Sequence, residues 1–191
     1  MALKGQKTKS DYMEWDTMQT LILKLERDGE YKFAALIASG CFLGLRISDL
    51  LQLKWSDLIG QTSLTVKEKK TKKDRTLTIN PQLVEIMERI YSVLEPNPEE
   101  LIFVNRFGTK PISVQYVNSK LKELFTQYNI KGQYSSHFMR KTLGRRVWAM
   151  NEYSEQALIM LSYLFGHSSI QTTKTYLGIR EQEISNLYLS V

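Results

Sequence analysis

One stretch near the C-terminus carries most of the information in this chain: Leu164-Phe165-Gly166-His167-Ser168-Ser169-Ile170-Gln171-Thr172-Thr173-Lys174-Thr175-Tyr176. Its first residues close a strongly apolar segment, 154–165, whose length and composition predict a buried helix. Gly166 stops that helix, because glycine tolerates the left-handed conformation in which helices commonly end. His167 follows at once, where an imidazole complements the negative end of the helix dipole. A shorter helical piece around 169–176 then brings in Tyr176. Taken singly, each residue has an ordinary explanation: the histidine caps a helix, and Tyr176 is one of ten tyrosines.

Upstream, residues 136–150 read as a helix that opens Ser136-His137-Phe138-Met139-Arg140. His137 and Arg140 are three residues apart and share a face, and Arg140, Lys141, Arg145 and Arg146 form a basic cluster. Val114, Val117, Leu121, Leu124, Phe125 and Tyr128 recur at helical spacing. Asn80-Pro81 is a helix start, an N-cap with proline at the first helical position, and that helix runs to about Leu94. Leu64 and Val66 alternate with polar residues, as do Leu77 and Ile79, so the two flanks predict a β-hairpin. Its tip, Lys67-Glu68-Lys69-Lys70-Thr71-Lys72-Lys73-Asp74-Arg75, holds six cations in nine residues. Such a tip can be a solvated turn that discourages edge pairing, or a finger for phosphates. Leu101–Val104 reads as a third short strand.

Nearer the N-terminus, Phe33 to Leu43 is apolar enough for a buried helix ending at Gly44. Arg46 sits in an apolar run, and Asp49, one turn later, could hold its guanidinium in place. Met18, Leu21, Ile22 and Leu25 mark a first helix, and residues 1–10 a flexible basic lead-in. The sum is an α+β fold: a mostly helical single domain, residues 11–191, with a small antiparallel three-stranded sheet.

Composition removes several function classes. The 191 residues carry 26 Lys and Arg against 20 Asp and Glu, a net +6, with one cysteine and two histidines. One cysteine excludes an intrachain disulfide and any CxxC metal knuckle. Two histidines and one thiol are a poor ligand supply, so no metal is expected. No phosphate-binding glycine loop is present, nor an 18-residue apolar run, nor a signal-peptide core. A cytoplasmic location is therefore expected.

The motifs taken in order, Gly44-Leu45-Arg46-Ile47-Ser48-Asp49-Leu50, a hairpin lysine, His137-x-x-Arg140, and the 164–176 stretch, resemble the tyrosine recombinases, the phage integrase family. The resemblance spans about residues 11–190 and implies that family's catalytic-domain fold. It also implies a DNA strand-transferase that works without metal, ATP or other cofactor, in a prokaryotic, phage or mobile-element setting. Tyr176 would attack a phosphodiester to give a 3′-phosphotyrosine. Arg46 and Arg140 would clamp the non-bridging oxygens, His137 would assist proton transfer, and His167 would hydrogen-bond the phosphate. Lys70, counted back from Arg75-Thr76-Leu77-Thr78-Ile79, would protonate the leaving 5′-oxygen, with Lys69 and Lys72 close by. Asp49 would support Arg46, and Lys67, Lys69, Lys72, Lys73, Arg75, Lys141 and Arg145 would contact DNA.

The physical argument agrees. A phenol with a pKa near ~10 is a weak nucleophile at neutral pH unless a base or cations assist it. Double-stranded DNA and further protomers, a tetramer in synapsis, are the implied partners. The family's helical core-binding domain is expected to be absent, since only residues 1–10 precede the catalytic region. The segment from Glu181 to Val191 either docks on a neighbouring protomer or folds back. A topoisomerase-like nicking and joining enzyme and a catalytically silent DNA-binding regulator are the alternative readings.

Overall fold

The computed structural model describes residues 10–67, 74–108, 110–179 and 188–190. Helix α1, Trp15–Arg27, buries Met18, Leu21, Ile22 and Leu25, the stripe that the three- and four-residue spacing marks. Helix α2, Tyr31–Leu43, is buried on nearly every side from Phe33 onward. Its alanines and Gly40 let neighbouring helices approach closely. A Cβ on Gly40 would lie 2.3 Å from the Met139 sulfur. This helix is the centre of the fold, packed against α1, against α4 (Pro81–Leu94) and against α6 (His137–Met150). Leu36 and Ile37 are wholly buried there, each contributing about 1.5–3 kcal/mol of transfer free energy. Gly44 ends α2 at φ +59°, and the short α3, Ile47–Leu50, follows.

Strands β1 (Ser63–Lys67) and β2 (Asp74–Thr78) pair antiparallel with Leu64 opposite Leu77 and Val66 opposite Arg75. Leu64 and Leu77 face the core, while the hydroxyls of Thr65 and Thr76 meet at 3.0 Å on the solvent side. The hairpin tip, 68–73, lies outside the described residues. The sheet has two strands among the described residues, not the three expected. Leu101 makes a single bridge to Lys54, and Val104 one to Pro111. Consecutive residues Ile102 and Phe103 are both buried, which a half-buried strand cannot do because neighbours point to opposite faces. The segment turns instead, and its backbone bonds go to Leu53 and Ile112.

Several of the later helices start on polar caps that the sequence supplies. The Asn80 side chain accepts from the Gln82 amide at the head of α4, with Pro81 in the first position. Ser113 caps α5, Val114–Gln127; Ser154 caps α7, Glu155–Phe165; and Ser169 caps α8, Ile170–Leu177. Residues 1–9 of the expected lead-in lie outside the described residues. Ser10 itself is buried in the fold, its hydroxyl accepting from the Ser135 amide. Of the segment 181–191, only 188–190 are described.

Among the described residues, apolar side chains gather in two cores. The larger is built from α1 to α5 and the start of α6, where Phe138 and Met139 insert. The smaller holds Leu158, Leu161, Phe165, Leu177 and Ile179, with Val147 and Trp148 from the far half of α6 against them. Helix α6 therefore belongs to both, and the chemistry-bearing residues lie where the two cores meet.

Candidate active site

The end of α7 organises the site. Its cap residue Gly166 adopts the left-handed conformation, φ +59° and ψ 41°, and the Phe165 carbonyl belongs to the last turn, where no intrahelical donor remains. Two guanidiniums supply one. Arg140 Nη2 and Arg46 Nη2 both donate to this oxygen, the latter at 3.4 Å. Arg140 Nη1 also donates to the Gly44 carbonyl at the end of α2, at 2.6 Å. The negative ends of two helices thus hold the buried Arg140. Its guanidinium carbon also lies 4.4 Å from the centre of the Phe165 ring. Arg46 and Arg140, 94 residues apart in sequence, are brought side by side through one carbonyl.

His137, Arg140, Arg46, His167 and Tyr176 line one cleft of about 370 Å³, together with Ser48, Ser136 and Gly166. His137 is the first residue of α6 and is exposed. Desolvation, and then the nearby Lys141 and Arg140, hold its imidazole below the ordinary histidine pKa. It is therefore neutral near pH 7 and able to accept a proton. The Tyr176 hydroxyl donates to the His137 carbonyl at 3.5 Å, and its ring stands 5.2 Å from that of His167. Burial pushes the phenol up to about 12, against the opposing pull of Arg140 and Arg46. Desolvation outweighs the cations, and the phenol keeps its proton.

His167 is held from behind. Its Nδ1 lies 2.9 Å from Thr173 Oγ1, which lies 2.8 Å from Ser162 Oγ, and Ser162 donates to the Leu158 carbonyl at 2.8 Å. Thr173 and Ser162 escape a motif-by-motif reading. The available signal was Ser162 itself, a polar side chain on the buried face of an otherwise apolar helix.

The other expected residues fall in different places. Asp49 is buried on α3 and its Oδ1 accepts from Ser48 Oγ at 3.3 Å. Lys67 ends β1, exposed, and Arg75 is half-buried opposite Val66. Lys69, Lys70, Lys72 and Lys73 lie outside the described residues. Arg145 stacks on Tyr12, 4.4 Å from its ring centre. Lys141, expected at the DNA surface, is buried instead. Its ammonium donates to the Ser10 carbonyl at 2.7 Å and sits 5.4 Å from the Tyr176 ring. It fastens the start of the fold to α6 and adds positive potential behind the site. Among the described residues no group of three or more His, Cys, Asp or Glu could hold a metal, and no helix is long and apolar enough to cross a membrane.

Residues 12–183 match the model of the phage integrase family. The chain is 28% identical over 183 residues to a tyrosine recombinase of Thermosipho africanus, covering 91% of this chain and 59% of that protein. It is 29% identical over 174 residues to the probable integrase/recombinase YoeC of Bacillus subtilis, covering 91% of this chain and 89% of that one. Most of the curated relatives are longer, and the chain spans about half their length. The structure of XerA recombinase superposes with a TM-score of 0.70 at 19% identity, over 94% of this chain and 64% of that one. XerH recombinase, in a post-cleavage complex with a palindromic difH substrate, superposes at 0.69 and 17% identity, over 96% and 54%. The chain belongs to the phage integrase family.

Proposed function

We propose that the chain cuts and rejoins DNA strands through a covalent 3′-phosphotyrosine, as the strand-transfer module of a site-specific recombinase or integrase. The observation that carries this reading is the convergence of Arg46, His137, Arg140, His167 and Tyr176 on one cleft from four separate parts of the chain. A phosphodiester entering it meets two neighbouring guanidiniums, which neutralise the non-bridging oxygens where charge builds in the transition state. That neutralisation also favours ionisation of Tyr176. The Tyr176 oxygen bonds to phosphorus as its proton passes to neutral His137. The bond from phosphorus to the 5′-oxygen breaks, and that oxygen takes a proton from the hairpin lysine, Lys70. The phosphotyrosine conserves the energy of the broken bond, so rejoining needs no ATP and the chemistry calls for no metal.

Double-stranded DNA is the substrate in this reading, and further protomers assembled on it, as a tetramer, are the partners. Integration or excision of a mobile element within the bacterial cytoplasm is the setting. A radiolabelled duplex nicked near the scissile phosphate lets the short 5′-hydroxyl fragment diffuse away and traps the adduct. Wild-type chain should become covalently labelled and Tyr176→Phe should not. Arg140→Ala should lower the rate by about 10²–10³. A labelled Tyr176→Phe protein would overturn the assignment of the nucleophile.

A further inference from the structure

The hydrogen bonds behind His167 have a direction, and that direction fixes a proton. The last acceptor in the chain is the Leu158 carbonyl, which has no proton to give, so the 2.8 Å contact with Ser162 Oγ requires the serine proton. A hydroxyl has one proton. The Ser162–Thr173 contact at 2.8 Å must therefore be made by the Thr173 proton. Thr173 is then left only lone pairs for His167, and the 2.9 Å contact must be made by a proton on Nδ1. Both hydroxyls are buried, Thr173 completely, so water does not offer an alternative set of partners.

We propose that Thr173 and Ser162 are positioning residues that lock His167 with its proton on Nδ1, so that all proton exchange by this imidazole takes place at Nε2. Free histidine in water prefers the opposite tautomer, so the chain works against an intrinsic bias. Nδ1–H keeps its acceptor whether the ring is neutral or cationic. His167 can therefore take a proton at Nε2 and give it back while its Nδ1–H bond to Thr173 stays as it is. In the neutral ring Nε2 presents a lone pair toward the cleft, and in the cationic ring it donates a hydrogen bond to the phosphate. The proton cannot leak inward, because the relay ends on a carbonyl. The catalytic part of this inference rests on the strand-transfer reading above; the tautomer itself does not.

The chain has only two histidines, which makes the tautomer directly measurable. Protein labelled with ring-¹⁵N histidine, free of DNA and at a pH where the rings are neutral, gives two sets of ring nitrogen signals. A His137→Gln variant identifies those of His167. The expected pattern is a protonated Nδ1 and an unprotonated Nε2. Thr173→Val, which keeps the side-chain shape, should move the ring toward the Nε2–H form. Thr173→Ser should keep the wild-type pattern. In the covalent trapping assay Thr173→Val should be slower by about tenfold or more, the scale of losing an orienting partner, and Thr173→Ser should recover the rate.

An Nε2–H ring in the wild-type protein, or an unchanged pattern in Thr173→Val, would overturn the proposal. A wild-type chain that shows the Nδ1–H pattern yet never traps DNA would leave the relay standing and sink the strand-transfer reading instead.

Discussion

Phe165 does two jobs with different atoms. Its ring is fully buried in the smaller core, and its carbonyl aligns Arg46 with Arg140. The orientation of that carbonyl depends on the next residue, Gly166, at φ +59°. An alanine there would find room, since the nearest atom to its Cβ would be Arg46 Nη2 at 3.6 Å. Its cost is conformational, about 1–2 kcal/mol for an L-residue in this region. Gly166→Ala should thus lower unfolding free energy in urea by that amount, and weaken adduct formation as the carbonyl turns. A second expectation concerns His137, whose pKa is lowered by desolvation and by Lys141 and Arg140. A nearby cation disfavours the imidazolium, so removing one must raise the midpoint. Lys141→Met should move the His137 titration, followed by NMR, upward toward the ordinary value near ~6.5. An unmoved midpoint would show that Lys141 does not act on this ring.

Among the elements, α6 works hardest, because it reaches both cores and carries His137 and Arg140. Gly144 lies where α7 and α8 close on it. A Cβ there would come within 2.6 Å of Leu177 Cδ2 and 3.0 Å of Phe165 Cε2. Leu177 adjoins Tyr176, so relief of the clash must displace the helix of the nucleophile. Gly144→Ala should destabilise by about 1–3 kcal/mol, the range of an overpacked core. The rate of adduct formation should fall further than that loss of stability explains.

The same scale shows what a sequence can reveal. Helices α1, α4 and α5 are legible because each combines a periodic apolar face with a cap or a stop, as Asn80-Pro81 illustrates, and α7 because an apolar segment ends at Gly166. The residues lining the cleft were legible because they sit in ordered motifs, though only the folded chain shows a carbonyl joining two of them. The segment 101–104 was misread as a strand because a four-residue apolar run carries no period of its own. Lys141 was misread because charge suggests solvent, whereas its partner is the backbone of Ser10, 131 residues away. Thr173 and Ser162 are harder to find, because the one cue, a serine on the buried face of α7, names no partner until distances are known.

For the molecule as a whole, the division into two cores is the governing feature. The nucleophile's helix is anchored in the smaller one, around Leu158, Leu161, Phe165, Leu177 and Ile179. Fewer buried apolar contacts mean a lower free energy of local opening. Amide hydrogen exchange should therefore be faster in α7 and α8 than in α2 and α4. Equal protection across all four helices would show that the two cores open only together.

That division bears on how such a chain avoids harm while it folds. Arg46 is supplied by the first core and the carbonyl that steers it by the second. A molecule in which only the first has assembled holds two unaligned arginines and no tyrosine near them. In the proposed chemistry, half-made protein is then inert toward chromosomes, and the ability to break a strand arrives only with the last piece to settle.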